Sequence, residues 1–284
     1  MKTVPRTTLW VAFAVASLLI VPAVQAGPGI VDEQVDGNTL EARVVIAGLE
    51  LAELTIEFED VTGLEPGALG LSARLLNPFE LLLLVPRLPD GVLTSIPPEL
   101  PLLLTVSPGP GFEMRGTATV SLHTELLPYS PGTPLRLFGS PINGTFEDVT
   151  ATTDAGSYRV GGRRPVFMQQ YTIASDMRAD EVVAESKLDI LDTILAQRAS
   201  VIDPGVLGDL TVRAAAVRGA VEGGDPDVAI AELDEFSAAV VAGSGEGIPD
   251  VWAPSASPVA NAAGELRSQA ATLRYTLVRI DQGL

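Results

Sequence analysis

Few side chains here are of a type and spacing that could do chemistry. His123 is the only histidine and there is no cysteine, so thiol, zinc–thiolate and iron–sulfur chemistry are excluded. A serine hydrolase needs a nucleophile, a base and an orienting acid. His123 stands at the strand parity opposite Val120 and Leu122, which predicts a solvent-facing side chain without such partners. The run Gly243-Ser244-Gly245-Glu246-Gly247 is not the G-x-S-x-G elbow, and it follows a helical pattern where the elbow must follow a strand. Paired carboxylates hydrolyse glycosides, and Glu57, Glu59 and Asp60 lie close in sequence. Glu57 and Glu59 share the outer face of an amphipathic strand, however, as solvated charges do. Calcium could be sought at Glu59-Asp60, at Asp148 and Asp154, or at Asp225-Pro226-Asp227, but none has the spacing of an oxygen-ligand loop. No catalytic residue, metal ligand or cofactor site is therefore assigned.

What remains are residues suited to holding a partner. Arg159, Arg163 and Arg164, around Gly161-Gly162, form the only basic cluster of an acidic chain and suit an anion or an acidic surface. A solvated hairpin loop is the plainer explanation. Trp252, in the longest linker of the helical part, can bind sugar or peptide, or plug the open end of a helical bundle. The net charge of −18 over 284 residues repels nucleic acid and anionic lipid. Lys187 is the only lysine beyond residue 26, which reads as compositional bias.

The N-terminus carries the parts of an export signal. Lys2 and Arg6 precede an apolar run from Leu9 to Val21. Pro22 breaks it, and Val24-Gln25-Ala26 offers a cleavage site. Residues 1–26 are predicted to be a signal peptide and Gly27 the mature N-terminus, which places the protein in the periplasm or outside the cell. The apolar stretch from Phe79 to Val106 is cut by Pro86, Pro89, Pro97, Pro98 and Pro101, so no membrane span is expected in the mature chain.

The elements that must position these residues change type near residue 176. Before it, period-two patterns predict strands: Leu40 to Ile46, Leu54 to Phe58, Leu69 to Leu76, Leu102 to Val106, Phe112 to Leu126, Leu135 to Phe138, Gly144 to Val149, Ser157 to Val160 and Val166 to Ala174. Leu81 to Val85, apolar on both faces, reads as a strand buried on both sides or at an interface. After residue 176, stripes of period 3.6 predict four helices. Asp203-Pro204, Asp225-Pro226 and Ser257-Pro258 each pair an N-cap with proline at the first helical position. The fold class is α+β in two segregated parts: an N-terminal antiparallel β-sandwich (27–176) followed by a C-terminal four-helix bundle (177–284).

The stretch Asp227-Val-Ala-Ile-Ala-Glu-Leu-Asp-Glu-Phe-Ser-Ala-Ala-Val240, after a glycine turn, resembles the middle helix of the FIMAH-type helical module at the ends of bacterial surface proteins. The likeness covers some 80 residues of core spacing. The whole chain is similar to exported bacterial proteins classed as a domain of unknown function. The resemblance implies an accessory role at the cell envelope and transfers no catalytic residue. The expected function is a non-catalytic module binding a protein or glycan partner. The alternative is an exported hydrolase dependent on carboxylates or metal.

Overall fold

Alternating side chains commit most of the first 176 residues to strands. The structure, a computed structural model, describes residues 27–128, 130, 132–154, 158–164, 169–254 and 261–284. Residues 1–26, where a signal peptide is predicted, Ser157, Val166 and the Ser257-Pro258 pair lie outside the described residues, as do the side chains of Arg159 and Arg164. In chain order come β1 (Ile30–Asp36), β2 (Thr39–Ile46), β3 (Leu49–Thr62), β4 (Ser72–Leu75), α1 (Pro78–Leu84), β5 (Thr94–Ser95), β6 (Leu102–Val106), β7 (Glu113–Thr124) and β8 (Leu135–Pro141). There follow β9 (Glu147–Asp148), β10 (Thr150–Asp154), β11 (Tyr158–Arg164), β12 (Gln169–Asp176), α2 (Asp180–Arg198), α3 (Pro204–Gly223), α4 (Pro226–Gly243), β13 (Val251–Trp252) and α5 (Ala262–Gln282).

The strands pair antiparallel into two sheets. The first has the order β1-β2-β3-β7-β11-β10, with β13 also on β7; the second runs β4-β6-β12-β8-β9, with β5 on β12. Leu54 is registered with Leu122 and Ile56 with Val120, so one parity of each strand points inward. These side chains meet Leu102, Leu104, Leu137, Tyr171 and Ile173 of the second sheet in one core.

The second sheet is buried on its outer face too, where Leu103, Phe138 and Ala174 pack beneath Leu84 and Leu88. That explains the run at Leu102–Val106, apolar on both parities. The segment covering it is not the strand expected at Leu81 to Val85 but the helix α1. Asn77 Oδ1 accepts from the amides of Phe79 and Glu80, each at 3.0 Å, and Glu80 Oε2 accepts from the Asn77 amide at 3.0 Å. This capping box, with proline at the first position, nucleates a leucine run free of β-branched residues.

The four long helices close a ring in which α2 meets α3, α3 meets α4, α4 meets α5 and α5 returns to α2. Leu191, Leu210, Val217, Leu233, Phe236, Leu266 and Leu273 lie in their shared core. The starts differ in detail from the sequence pattern. Asp203 caps α3 through the Gly205 and Val206 amides, whereas Asp225 makes no side-chain cap on α4. Helix α5 begins at Ala262 under an Asn261 cap, later than Ser257-Pro258 suggests.

Candidate functional site

Helix α5 has apolar side chains on one face and small ones on another. Leu266, Ala270, Leu273 and Leu277 join the bundle core. Gly264, Ser268, Thr272 and Thr276, at four-residue spacing, are also buried, and small residues let a helix approach its neighbour closely. The contact is tightest at Gly264, where an added Cβ would lie 2.5 Å from the Gly116 carbonyl oxygen of β7. Gly116 itself has φ +73°, and the place of its missing Cβ is filled by the Glu59 carboxylate. Asn261 Nδ2 donates to the same Gly116 oxygen at 2.7 Å, and the Gly116 amide donates to the Asp250 carbonyl at 2.9 Å. The link between α4 and α5 is thus stitched to β7, and α5 lies across β7, β11 and β10.

Laying a helix on a sheet leaves a cleft beside it. One of about 750 Å³ lies between β10–β11 and α4–α5, and into it converge Arg163, Arg267, Arg274, Arg279 and Tyr275. Three of the four arginines already hold carboxylates. Arg267 grips Glu59 through two nitrogens at 2.7 and 2.6 Å. Arg274 holds Asp234 at 2.8 Å and Arg279 holds Asp180 at 3.1 Å. Arg163 differs. Among the described residues its only ion-pair partner is Glu59 at 3.9 Å, too far for a hydrogen bond, and its side chain is 41% exposed. Its donors are free to meet an anion, which guanidinium groups bind in bidentate fashion. Arg163 also lines a second cavity of about 500 Å³ between the sheets and α2–α5, so it stands where two cavities meet.

The Glu59 side chain organises this corner. Besides Arg267 it accepts from the Thr117 hydroxyl at 2.9 Å and the Thr117 amide at 3.2 Å. Burial by itself would push its carboxyl up, but the hydrogen bonds from Arg267 and Thr117 outweigh that and hold it below the ordinary glutamate value.

Deeper in the seam lies a buried ion pair. Lys187 Nζ on α2 donates to Asp148 Oδ2 at 2.8 Å, to the Thr272 carbonyl at 3.0 Å and to Thr276 Oγ1 at 2.9 Å, while Asp148 Oδ1 accepts from the Thr150 amide at 2.9 Å. All three ammonium protons are used. Burial would raise the Asp148 carboxyl, and the Lys187 charge, its hydrogen bond and the nearby Arg136 more than offset that, holding it below the ordinary aspartate value. The lysine that reads as compositional bias in the sequence is the pin between the second sheet and two helices.

The partner-binding residues named from sequence do not all come together. Arg159 and Arg163 are on β11, registered with His123 and Thr119, and Arg164 is registered with Ala118; of the three, the Arg163 side chain is placed at the cleft. Trp252 sits elsewhere. It does not plug the bundle but pairs with Met114 on β7 and meets Phe112 edge-on at 6.2 Å, against the sandwich core. That is roughly 17 Å along β7 from the partner of Arg163.

His123 lies on the outer face of the first sheet, half-buried, with Nδ1 2.7 Å from Glu53 Oε2 and Nε2 buried without a partner among the described residues. Both line a groove of about 540 Å³ with Glu41, Glu57, Ser121 and Asp154. Asp148, a calcium candidate by sequence, has its oxygens taken by Lys187 and Thr150. Among the described residues no group of three or more His, Asp or Glu side chains could hold a metal ion, and no helix is long and apolar enough to cross a membrane.

The sequence offers Glu59 only as a carboxylate or calcium candidate and does not mark Arg267, Arg274 or Tyr275 as site residues. The signal available was the small-residue spacing of Gly264, Ser268, Thr272 and Thr276, which marks a second packing face and so a cleft on either side of it.

The architecture defines a segregated α+β protein, two antiparallel sheets followed by four helices, with an arginine-lined cleft between the parts. The chain belongs to a family of unknown function (DUF6689), whose model matches residues 14–281. A comparison with curated proteins gives no match.

Proposed function

We propose that this is an exported bacterial envelope module, periplasmic or extracellular, which binds an acidic protein or glycan partner without transforming it. The observation that carries this reading is Arg163. It is the arginine of the cleft that no carboxylate holds by hydrogen bonds, set among three others in a chain whose net charge is −18. One uncompensated guanidinium at a cleft in an acidic surface gives an anionic group a local place to bind. The export pattern of residues 1–26 and the likeness of Asp227 to Val240 to the FIMAH-type module support an envelope role, and the acidic surface argues against nucleic acid.

The test is titration against immobilised acidic and neutral oligosaccharides and acidic peptides. Arg163→Ala should weaken binding of the acidic ligands at least tenfold and leave the melting temperature unchanged. Equal binding of neutral and acidic ligands, or an Arg163→Ala chain that binds as well as the parent, would overturn the reading.

A second reading, a carboxylate-dependent exported hydrolase, has one observation in its favour. The Glu53–His123 pair orients an imidazole beside a groove lined by carboxylates, and a general base needs such an oriented imidazole. Hydrolysis of ester or glycoside substrates abolished by His123→Ala, with unchanged stability, would favour it over binding alone.

A further inference from the structure

Helix α1 has apolar side chains on both sides, and among the described residues nothing covers one of them. Leu84 faces the sheet and is buried among Leu103, Phe138 and Phe146. Phe79, Leu82 and Leu83 point away, 68%, 69% and 59% exposed, and Val92 in the following loop is 91% exposed. Exposed leucines scattered singly mean little, but a contiguous apolar patch marks an interaction surface.

The loop that carries Val92 packs against the residue that follows α1, and its backbone is well held. Gly91 lies against Val85, since a Cβ there would come within 2.7 Å of Val85 Cγ1. The Met177 amide donates to the Leu93 carbonyl at 2.8 Å, which adds another exposed side chain. Asp90 Oδ1 accepts from the amides of Val92 and Leu93 at 2.8 and 3.1 Å, and the capping box fixes α1. The apolar side chains stand out on a hydrogen-bonded frame, not on a frayed end.

Three properties say what covers them. The exposed side chains of Phe79, Leu82, Leu83, Val85, Val92 and Met177 amount to something on the order of 700 Å², near the roughly 800 Å² that each partner gives to a standard interface. The charge beside α1 is self-complementary: Arg74 pairs with Glu80. Elsewhere two copies of a chain at −18 repel each other, and here they can meet. A bilayer surface is the poorer fit, because interfacial helices carry several Lys or Arg on their polar face, whereas α1 itself has none and the Arg74 beside it is paired with Glu80.

We propose that the face formed by Phe79, Leu82, Leu83 and Val92 is where two copies of this chain pair about a twofold axis. The contact is isologous, as most homodimer contacts are, with Arg74 and Glu80 able to exchange partners across it. It lies on the second sheet, apart from the arginine cleft, and does not depend on that cleft's role.

Sedimentation equilibrium of the full chain should show the mass rising toward twice 29.6 kDa, or twice the processed mass if the leader is removed, as concentration reaches about 200 µM, where even a weak dimer is populated. Leu82→Glu with Leu83→Glu should raise the dissociation constant at least tenfold while the circular-dichroism melt stays unchanged, since both residues are exposed. Val92→Glu, in the loop, should weaken the dimer in the same direction. A parent chain that stays monomeric at that concentration, or a dimer indifferent to all three changes, would overturn the proposal. Flotation of the monomer with phosphatidylcholine vesicles, lost in the Leu82/Leu83 variant, would overturn it in favour of a lipid surface.

Discussion

Two of the ion pairs that tie helices to sheets sit in opposite surroundings. Asp148–Lys187 joins the edge of the second sheet to α2, with side chains 3% and 4% exposed. Glu59–Arg267 joins the outer face of the first sheet to α5, with side chains 38% and 19% exposed. In the first pair every proton of the ammonium is spent on a fixed partner, so nothing is left to recognise a ligand. In the second, water reaches the carboxylate, and a neighbouring guanidinium, Arg163, has no hydrogen-bonded partner among the described residues. A charge sealed from water serves geometry, and one left at a cleft can serve recognition, because only the second can exchange partners without a large desolvation cost.

The comparison is broken most directly at its buried member. Lys187→Ala strands Asp148 without its counter-charge and should lower the unfolding free energy by about 3–5 kcal/mol, read by chemical denaturation. The double change Lys187→Met with Asp148→Leu should recover most of that loss, since an apolar pair of similar volume carries no desolvation cost. If the single variant is as stable as the parent, the ion pair is not what holds α2 to the second sheet.

Acid should act on both pairs in the same direction. Asp148 and Glu59 both have folded-state carboxyls below their ordinary values of 3.8 and 4.5, so the unfolded chain binds protons more readily than the folded one there. Their contribution is complete above those ordinary values and is lost as the pH falls through the depressed ones. Melting temperatures followed downward from neutral pH should therefore fall most steeply below pH 4.5, and the Met/Leu double variant should show a shallower acid limb. An acid limb of equal slope in parent and double variant would separate Asp148 from this effect.

Breaking the exposed member should cost less. Arg267→Ala should remove about 1 kcal/mol, less at high salt, as expected of a partly solvated pair. A loss as large as that of Lys187→Ala would mean that the Glu59 corner is as dry in solution as the Asp148 one. The smallest effects are expected away from the seam. Asp203→Ala, which deletes a real cap, should cost about 1 kcal/mol, while Asp225→Ala should leave the melting curve where it was, because that side chain accepts no helix amide.

Much of the architecture was legible in the residues. Period two in Leu54, Ile56 and Phe58, and period 3.6 in Leu266, Ala270, Leu273 and Leu277, reflect which face of each element leaves water, and burial is decided locally by that pattern. Proline after a capping residue located the start of α3 for the same local reason. Three features were not legible. Leu81 to Val85 carries no polarity contrast, so its period is blank, and the deciding signal was the small Asn77–Glu80 box beside it. Trp252 joins a strand whose partner, Met114, is far away in sequence, and no local rule reports such a pairing. Lys187 looks like any exposed lysine until the fold brings Asp148, Thr272 and Thr276 around it.

The sequence by itself determined the two-part plan, the acidic surface and the absence of thiol chemistry, since these follow from composition and from periodicities short enough to read along the chain. Only the tertiary structure decided that α5 lies across the first sheet, that Arg163 faces a cleft with Arg267 and Arg274, and that α1 holds its leucines outward. Each of these depends on which distant faces meet. That choice is made by packing and desolvation summed over the whole molecule, and no single stretch of residues records it.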